Sequence, residues 1–292
     1  MFQGSMVALV TPMTSQGAVD YGAFERLIEW HLECQTDGFV ILGTTAESPT
    51  ITADERLKII QASLRLLKGK APVIVGTGTN CTQSTIALTR QAYDLGADGA
   101  LLISPYYNKP TQEGLYLHHK AVAEAVPLPQ ILYNNPSRTA CDLLPETVIR
   151  LSKFDTIVAL KETVNDVVRF RRIVAEADLD LLGGSDGDAL ALMQAGGKGI
   201  ISVAANVIPR AFRQFCQAAL SGNDERAQQL QTQLAPLFEA LFVEANPIPT
   251  KWALHELGKI DNGIRLPLTW LSKQQQAVVK QAMIDEEKTC VL

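Results

Sequence analysis

A chain of 292 residues, 47% hydrophobic and 20% charged, has enough material for one large α/β domain or two ordinary ones. A formal net charge of −5, with no basic run longer than Arg171-Arg172, advertises no polyanion-binding surface, so neither nucleic acid nor an anionic membrane is an expected partner. No stretch reaches the roughly 18 apolar residues of a membrane span, and five scattered cysteines (Cys34, Cys81, Cys141, Cys216, Cys290) without C-x-x-C spacing fit free thiols in a reducing cytosol rather than a disulfide or zinc framework.

The first apolar run, S-M-V-A-L-V-T (5–11), lacks a basic leader and ends at Pro12, so it reads as a strand and not as a signal peptide. Similar runs follow at 38–43, 72–77, 99–104, 129–134, 156–161, 179–184 and 199–203. They are nearly continuous rather than alternating, the pattern of strands buried on both faces of a parallel sheet. Helix-like segments lie between them at Tyr21–Cys34, Ala53–Lys68, Gln83–Leu95, Gln112–Ala125, Pro145–Ser152 and Asn165–Ala177. The Thr52–Glu55 capping box and the Asp94–Gly96 exit support these bounds. Eight β-then-α units over residues 1–222 predict a (β/α)8 TIM barrel, and T-P-M-T-S-Q-G after the first strand is no dinucleotide fingerprint. From residue 223 to 292 only helix is expected: Asp224–Val243, a proline-interrupted hinge at 246–249, Thr250–Leu257 and Ser272–Ile284, a C-terminal helical region packed on the barrel.

Barrel active sites form at the C-terminal strand ends. Here those ends bring hydroxyls, phenols, glycines and one amine to a single mouth, with no cluster of metal-ligand spacing, so no metal or other cofactor is expected. The amine is Lys161, closing the apolar T-I-V-A-L-K. Burial disfavours an ammonium and raises the nucleophilic fraction of a lysine, which suits Schiff-base chemistry with a carbonyl. The plain alternative is a lysine that snorkels or pairs with Glu162. Tyr133, one strand earlier, is placed to shuttle protons; otherwise it is a packed ring with a wet hydroxyl. Arg138, past a proline-fixed turn, offers a fork for a carboxylate or is a plain exposed loop residue. Gly43, Thr44 and Thr45 either hold a carboxylate or make a simple capping turn.

With these residues in view, the chain resembles the dihydrodipicolinate synthase family, within the N-acetylneuraminate lyase superfamily of class I aldolases. The resemblance runs end to end, through the G-T-T-x-E-S loop, S-P-Y-Y-N-K-P-T-Q-E-G-L-Y (104–116), I-L-Y-N-x-P-S-R-T (131–139), A-L-K-E, G-G-K-G-I-I-S-V-x-A-N (196–206) and F-V-E-x-N-P-I-P-x-K (242–251). It implies that Lys161 forms the Schiff base with pyruvate and that Tyr133 transfers protons, linked through Thr44 to Tyr107, which reaches in from a neighbouring subunit. Thr45, the Ile201 carbonyl and Gly184 would meet pyruvate, and Arg138 the carboxylate of L-aspartate 4-semialdehyde. A cytoplasmic homotetramer, a dimer of dimers, working in lysine and diaminopimelate biosynthesis is implied as well. A sialic-acid or keto-deoxy-sugar aldolase, another 2-oxo-acid aldolase, and a non-catalytic ligand sensor on the same barrel are the competing readings. The P-S-R setting of Arg138 speaks against the sugar, and retention of Thr44, Tyr107, Tyr133 and Lys161 together against the sensor.

The chain departs from the family pattern in three places. Ala46 replaces a glycine, Asn135 replaces an aliphatic or small residue, and about two residues are missing before Gly184. In a cleft where lysine-regulated members bind L-lysine, Ser48, Asn80 and Tyr106 match. However, Ser84 takes the acidic position and Ala53 and Arg56 take histidine positions, so the resemblance implies weak feedback inhibition.

Overall fold

Successive side chains of a strand face opposite ways, and in this sequence both faces are apolar because both are covered. The computed structural model describes residues 2–289. Its strands are β1 (Gly4–Ala8), β2 (Gly38–Ile41), β3 (Val73–Gly76), β4 (Gly99–Ile103), β5 (Gln130–Asn134), β6 (Ile157–Glu162), β7 (Asp180–Gly183) and β8 (Gly199–Ser202). All pair in parallel in sequence order, and β8 closes on β1, giving the expected TIM barrel.

One set of alternate residues fills the barrel: Met6 and Ala8, Val40, Ile74, Leu101, Ile131 and Tyr133, Ala159, Leu182 and Ile201, with Phe2 beneath them. The other set, including Val7, Phe39, Ile41, Leu102, Leu132, Leu160, Leu181 and Ile200, packs outward against the helices. This is the layered filling of a closed eight-stranded barrel. The parity has a direct consequence at the rim. Lys161 follows Ala159 by two and therefore points inward, whereas Glu162 points outward.

The surrounding helices are α1 (Tyr21–Glu33), α2 (Ala53–Leu67), α3 (Thr82–Leu95), α4 (Gln112–Ala125), the single-turn α5 (Pro136–Thr139), α6 (Pro145–Leu151), α7 (Val167–Glu176), α8 (Ala189–Gln194) and α9 (Pro209–Leu220). The capping box of α2 forms as expected, with Thr52 and Glu55 bonding each other's backbone N–H. Helix α7 starts two residues later than its pattern predicts, because Asp166 is the N-cap and accepts from Val168 and Arg169 N–H.

The C-terminal helices are α10 (Asp224–Ala240), α11 (Ile248–Glu256) and α12 (Lys273–Thr289). Phe238 of α10 stacks edge-on or tilted against Phe212 and Phe215 of α9, which anchors this region to the barrel. The expected hinge at 246–249 is met in its first half: Asn246 and Pro247 lie between α10 and α11, whereas Ile248 and Pro249 form the first turn of α11, where a missing N–H costs nothing. Cys34, Cys81, Cys141 and Cys216 are free thiols, and Cys290 lies outside the described residues. Among the described residues no helix is long and apolar enough to cross a membrane.

Candidate active site

Neighbouring strands set the central pair. In the β5–β6 ladder Tyr133 stands opposite Lys161, and both point into the barrel, 5% exposed each. The Lys161 Nζ lies 4.4 Å from the centroid of the Tyr133 ring. Glu162 is turned to the other face, where it receives Arg169 Nε at 2.7 Å, Asn134 Nδ2 at 2.9 Å and the N–H groups of Thr163 and Val164. The reading in which Lys161 pairs with Glu162 therefore fails on strand parity, and among the described residues Lys161 makes no salt bridge.

A cavity of about 50 Å³ surrounds this pair, lined by Thr44, Thr45, Asn135, Arg138, Gly184 and Val203 among others. A Cβ at Gly184 would sit 2.7 Å from Lys161 Cε and 2.6 Å from Thr163 Cγ2, so a larger residue there would push these side chains out of place. Ile201 is inward and fully buried. Burial pushes the Tyr133 phenol up. The Lys161 ammonium, hydrogen bonds from Asn135 and Thr44, and the Arg138 guanidinium outweigh it, so its pKa falls below that of an ordinary tyrosine.

Arg138 donates to the Asn246 carbonyl at 3.0 Å, and Asn246 Nδ2 donates to Thr45 Oγ1 at 2.9 Å. Asn246 and Phe242, both from the C-terminal region, line the cavity. Neither is among the residues expected above; only their presence in the F-V-E-x-N-P-I-P-x-K motif could have drawn attention to them. Asp186 was also missed as a support. Its buried carboxylate accepts Val203 and Ala204 N–H and so holds the loop after β8 against the cavity. Burial raises the pKa of this carboxyl, with the backbone N–H groups opposing.

Outside the inner cavity lies a vestibule of about 500 Å³ that shares Asn135, Arg138, Gly184 and Phe242 with it and adds Ser137, Gln231 and Glu239. A larger cavity, about 780 Å³ around Gln3, Asp37 and Gln217, is at the N-terminal end of the strands, so size does not mark the chemistry. The G-G-K-G glycines also lie at that end, with Gly196 and Gly197 ahead of β8 and Gly199 its first residue.

Tyr107 is not brought to the site within one chain. It is 89% exposed on the loop after β4, in a left-handed backbone conformation at φ 74°. Of the six cleft residues, Ser48, Arg56 and Tyr106 line one cavity of about 370 Å³, while Ala53, Asn80 and Ser84 lie outside its lining. Arg56 is turned inward, donating to the Gly76 carbonyl at 2.6 Å, and burial lowers its pKa to about 10.

Residues 1–286 match the model of the dihydrodipicolinate synthetase family. The 4-hydroxy-tetrahydrodipicolinate synthase of Coxiella burnetii (strain Dugway 5J108-111) is 58% identical over 283 residues, covering 97% of this chain and 98% of that one. The enzyme of the same name from Nitrosococcus oceani is 53% identical over 289 residues, covering 98% and 99%. Among solved structures, the chloride-inhibited dihydrodipicolinate synthase of Acinetobacter baumannii complexed with pyruvate superposes with a TM-score of 0.96 at 46% identity, covering 98% of this chain and 99% of that one.

Proposed function

This chain belongs to the dihydrodipicolinate synthetase family, and from that premise we propose how its residues carry out the condensation of pyruvate with L-aspartate 4-semialdehyde that feeds lysine biosynthesis. The protein is a lyase, and on this reading it works through a Schiff base. The observation that carries the residue assignment is the inward pair Lys161–Tyr133, 4.4 Å from amine to ring centroid, at the rim of a closed barrel.

The Lys161 amine adds to C2 of pyruvate, and Tyr133 protonates the carbinolamine oxygen so that it leaves as water. Loss of a C3 proton from the imine gives the enamine, whose C3 bonds to the aldehyde carbon of the semialdehyde. The amine of the bound semialdehyde then attacks the imine carbon, closes the ring and releases Lys161. Thr45, the Ile201 carbonyl and Gly184 contact pyruvate in the inner cavity. Arg138, common to cavity and vestibule, holds the carboxylate of the second substrate. No cofactor takes part. Tyr107 completes the relay through Thr44 from a second copy, which its exposure on the single chain supports, and the working unit is a cytoplasmic tetramer, a dimer of dimers.

Borohydride reduction in the presence of pyruvate tests the assignment. One reduced pyruvyl group is expected on the peptide carrying Lys161 and none on Lys161→Ala; a label that persists in the variant refutes it.

We also infer weak inhibition by L-lysine. With Ser84 in place of an acid, the ligand ammonium has no counter-charge unless a nearby acid substitutes. Glu47 is committed to Lys251 and to Arg265 N–H, and Glu55 to Arg265 and Thr52. A buried ammonium without its carboxylate is costly, so half-inhibition is expected above about 1 mM in a steady-state titration. A value well below that overturns the inference.

A further inference from the structure

Asn135 makes a pair of hydrogen bonds that the reaction above does not use. It stands at the N-cap of α5, yet its side chain caps no helix N–H. Instead Nδ2 donates to the Tyr133 hydroxyl oxygen at 2.9 Å, and Oδ1 accepts from Ser137 Oγ at 2.7 Å. Only 8% of the residue is exposed, and it lines both the inner cavity and the vestibule.

In the structure Oδ1 of the amide meets the Ser137 hydroxyl and Nδ2 meets the Tyr133 oxygen, and an amide nitrogen donates only. The phenol oxygen must therefore accept from Asn135, and its own proton is directed elsewhere, toward the cavity that Lys161 and Thr44 also line. A donor to an oxygen that gains charge bonds the ionised form more strongly than the neutral one. The charged groups facing the phenol are Lys161 from β6 and Arg138 from α5; Thr44 after β2 is neutral, and Ala8, Val40, Leu101 and Val203 are apolar.

We propose that Asn135, bonded on its other side to Ser137, is a positioning residue for proton transfer: it holds the Tyr133 oxygen as an acceptor and aims the phenol proton into the Lys161 cavity, and its donation favours the phenolate. This rests on Tyr133 being the proton-transfer group.

Spectrophotometric titration of tyrosinate in the substrate-free enzyme tests it, with the Tyr133 contribution isolated by subtracting Tyr133→Phe. In Asn135→Leu, nearly the same shape without the donor, the proton affinity of the Tyr133 phenolate rises by roughly tenfold. Asn135→Asp raises it further, because a carboxylate then faces the phenolate, and Ser137→Ala raises it less by freeing the amide to turn. The corresponding limb of the kcat/KM profile moves in the same order. A merely structural Asn135 lowers activity in all three variants without ordering the titrations. An unmoved Tyr133 titration in Asn135→Leu overturns the proposal, and if that variant does not fold, unmoved titrations in Asn135→Asp and Ser137→Ala do so. Full activity in Tyr133→Phe overturns instead the proton-transfer role of Tyr133, on a measurement separate from the titration.

Discussion

Two lysines of this chain are buried to nearly the same degree, and their surroundings differ. Lys251 on α11 is fully buried and sits 2.5 Å from Glu47, whose other oxygen accepts the Arg265 N–H. Burial lowers the Lys251 pKa, and the Glu47 carboxylate opposes that fall. Lys161 is 5% exposed, faces the ring of Tyr133 and has no carboxylate in ion-pair range among the described residues. Burial alone therefore does not single out a reactive amine. A carboxylate in contact makes the lysine a tie, here from the loop after β2 to the C-terminal region. A ring face and a cavity leave the amine to a ligand.

The largest expected effect comes from breaking the reactive side. Lys161→Ala should lower kcat by more than about 10⁴-fold, the scale on which a missing nucleophile registers, while urea unfolding stays close to that of the parent. Substituting Lys251 should show the reverse order of effects, and if the two variants behave alike the contrast drawn here is wrong. Breaking the tie from its acidic end comes next. Glu47→Ala leaves Lys251 buried without a counter-charge, and a loss of about 3–5 kcal/mol is expected by urea unfolding. Glu47→Leu with Lys251→Met should recover much of that loss, and pyruvate should still be trapped on Lys161 in the folded protein.

Arg138 sharpens the reactive side further. A charge-assisted bond of about 1.5–3 kcal/mol corresponds to a rise of roughly 10- to 150-fold in the KM for L-aspartate 4-semialdehyde in Arg138→Ala, with little change for pyruvate. An equal rise for both substrates would mean that the bond from Arg138 to the Asn246 carbonyl is what matters. The smallest effect belongs to the tie region. Glu55 bonds Arg265, which holds its carboxyl at about 2 against an ordinary 4.5. Since the folded pKa is the lower one, the unfolded chain binds the proton more tightly below pH 4.5. The contribution is complete above about 4.5 and disappears as pH falls through about 2. The pair is one-fifth exposed, so about 1 kcal/mol is expected. Arg265→Ala should flatten this part of a plot of unfolding free energy against pH, and an unchanged slope would refute the assignment.

How legible the site was follows from how local each signal is. Lys161 and Tyr133 could be read because each ends an apolar run, and barrel chemistry belongs at strand ends. The proline-interrupted segment 246–249 reads as a break and is one in its first half, where Asn246 and Pro247 join α10 to α11; Ile248 and Pro249 already belong to α11, because a first turn accepts a proline and residue types alone do not say where that turn begins. Asn135 could be seen as added polarity, but its bond to the phenol depends on a turn geometry that residue types do not specify. Lys251 gave no sign of its partner, which lies 204 residues earlier.

By itself the sequence determined the eight parallel strands, the closed barrel and the inward row that carries Lys161, because a period of two and a repeat of β then α are properties of consecutive residues. The tertiary structure alone decided that Glu162 goes to Arg169 while Lys161 makes no salt bridge among the described residues, that Asn246 joins Arg138 to Thr45, and that Glu47 belongs to Lys251. Those contacts, apart from the Glu162–Arg169 pair, span 108 to 204 residues. Hydrogen bonds and ion pairs act over a few ångströms, so such partners exist only once the barrel has closed and the C-terminal helices have packed onto it.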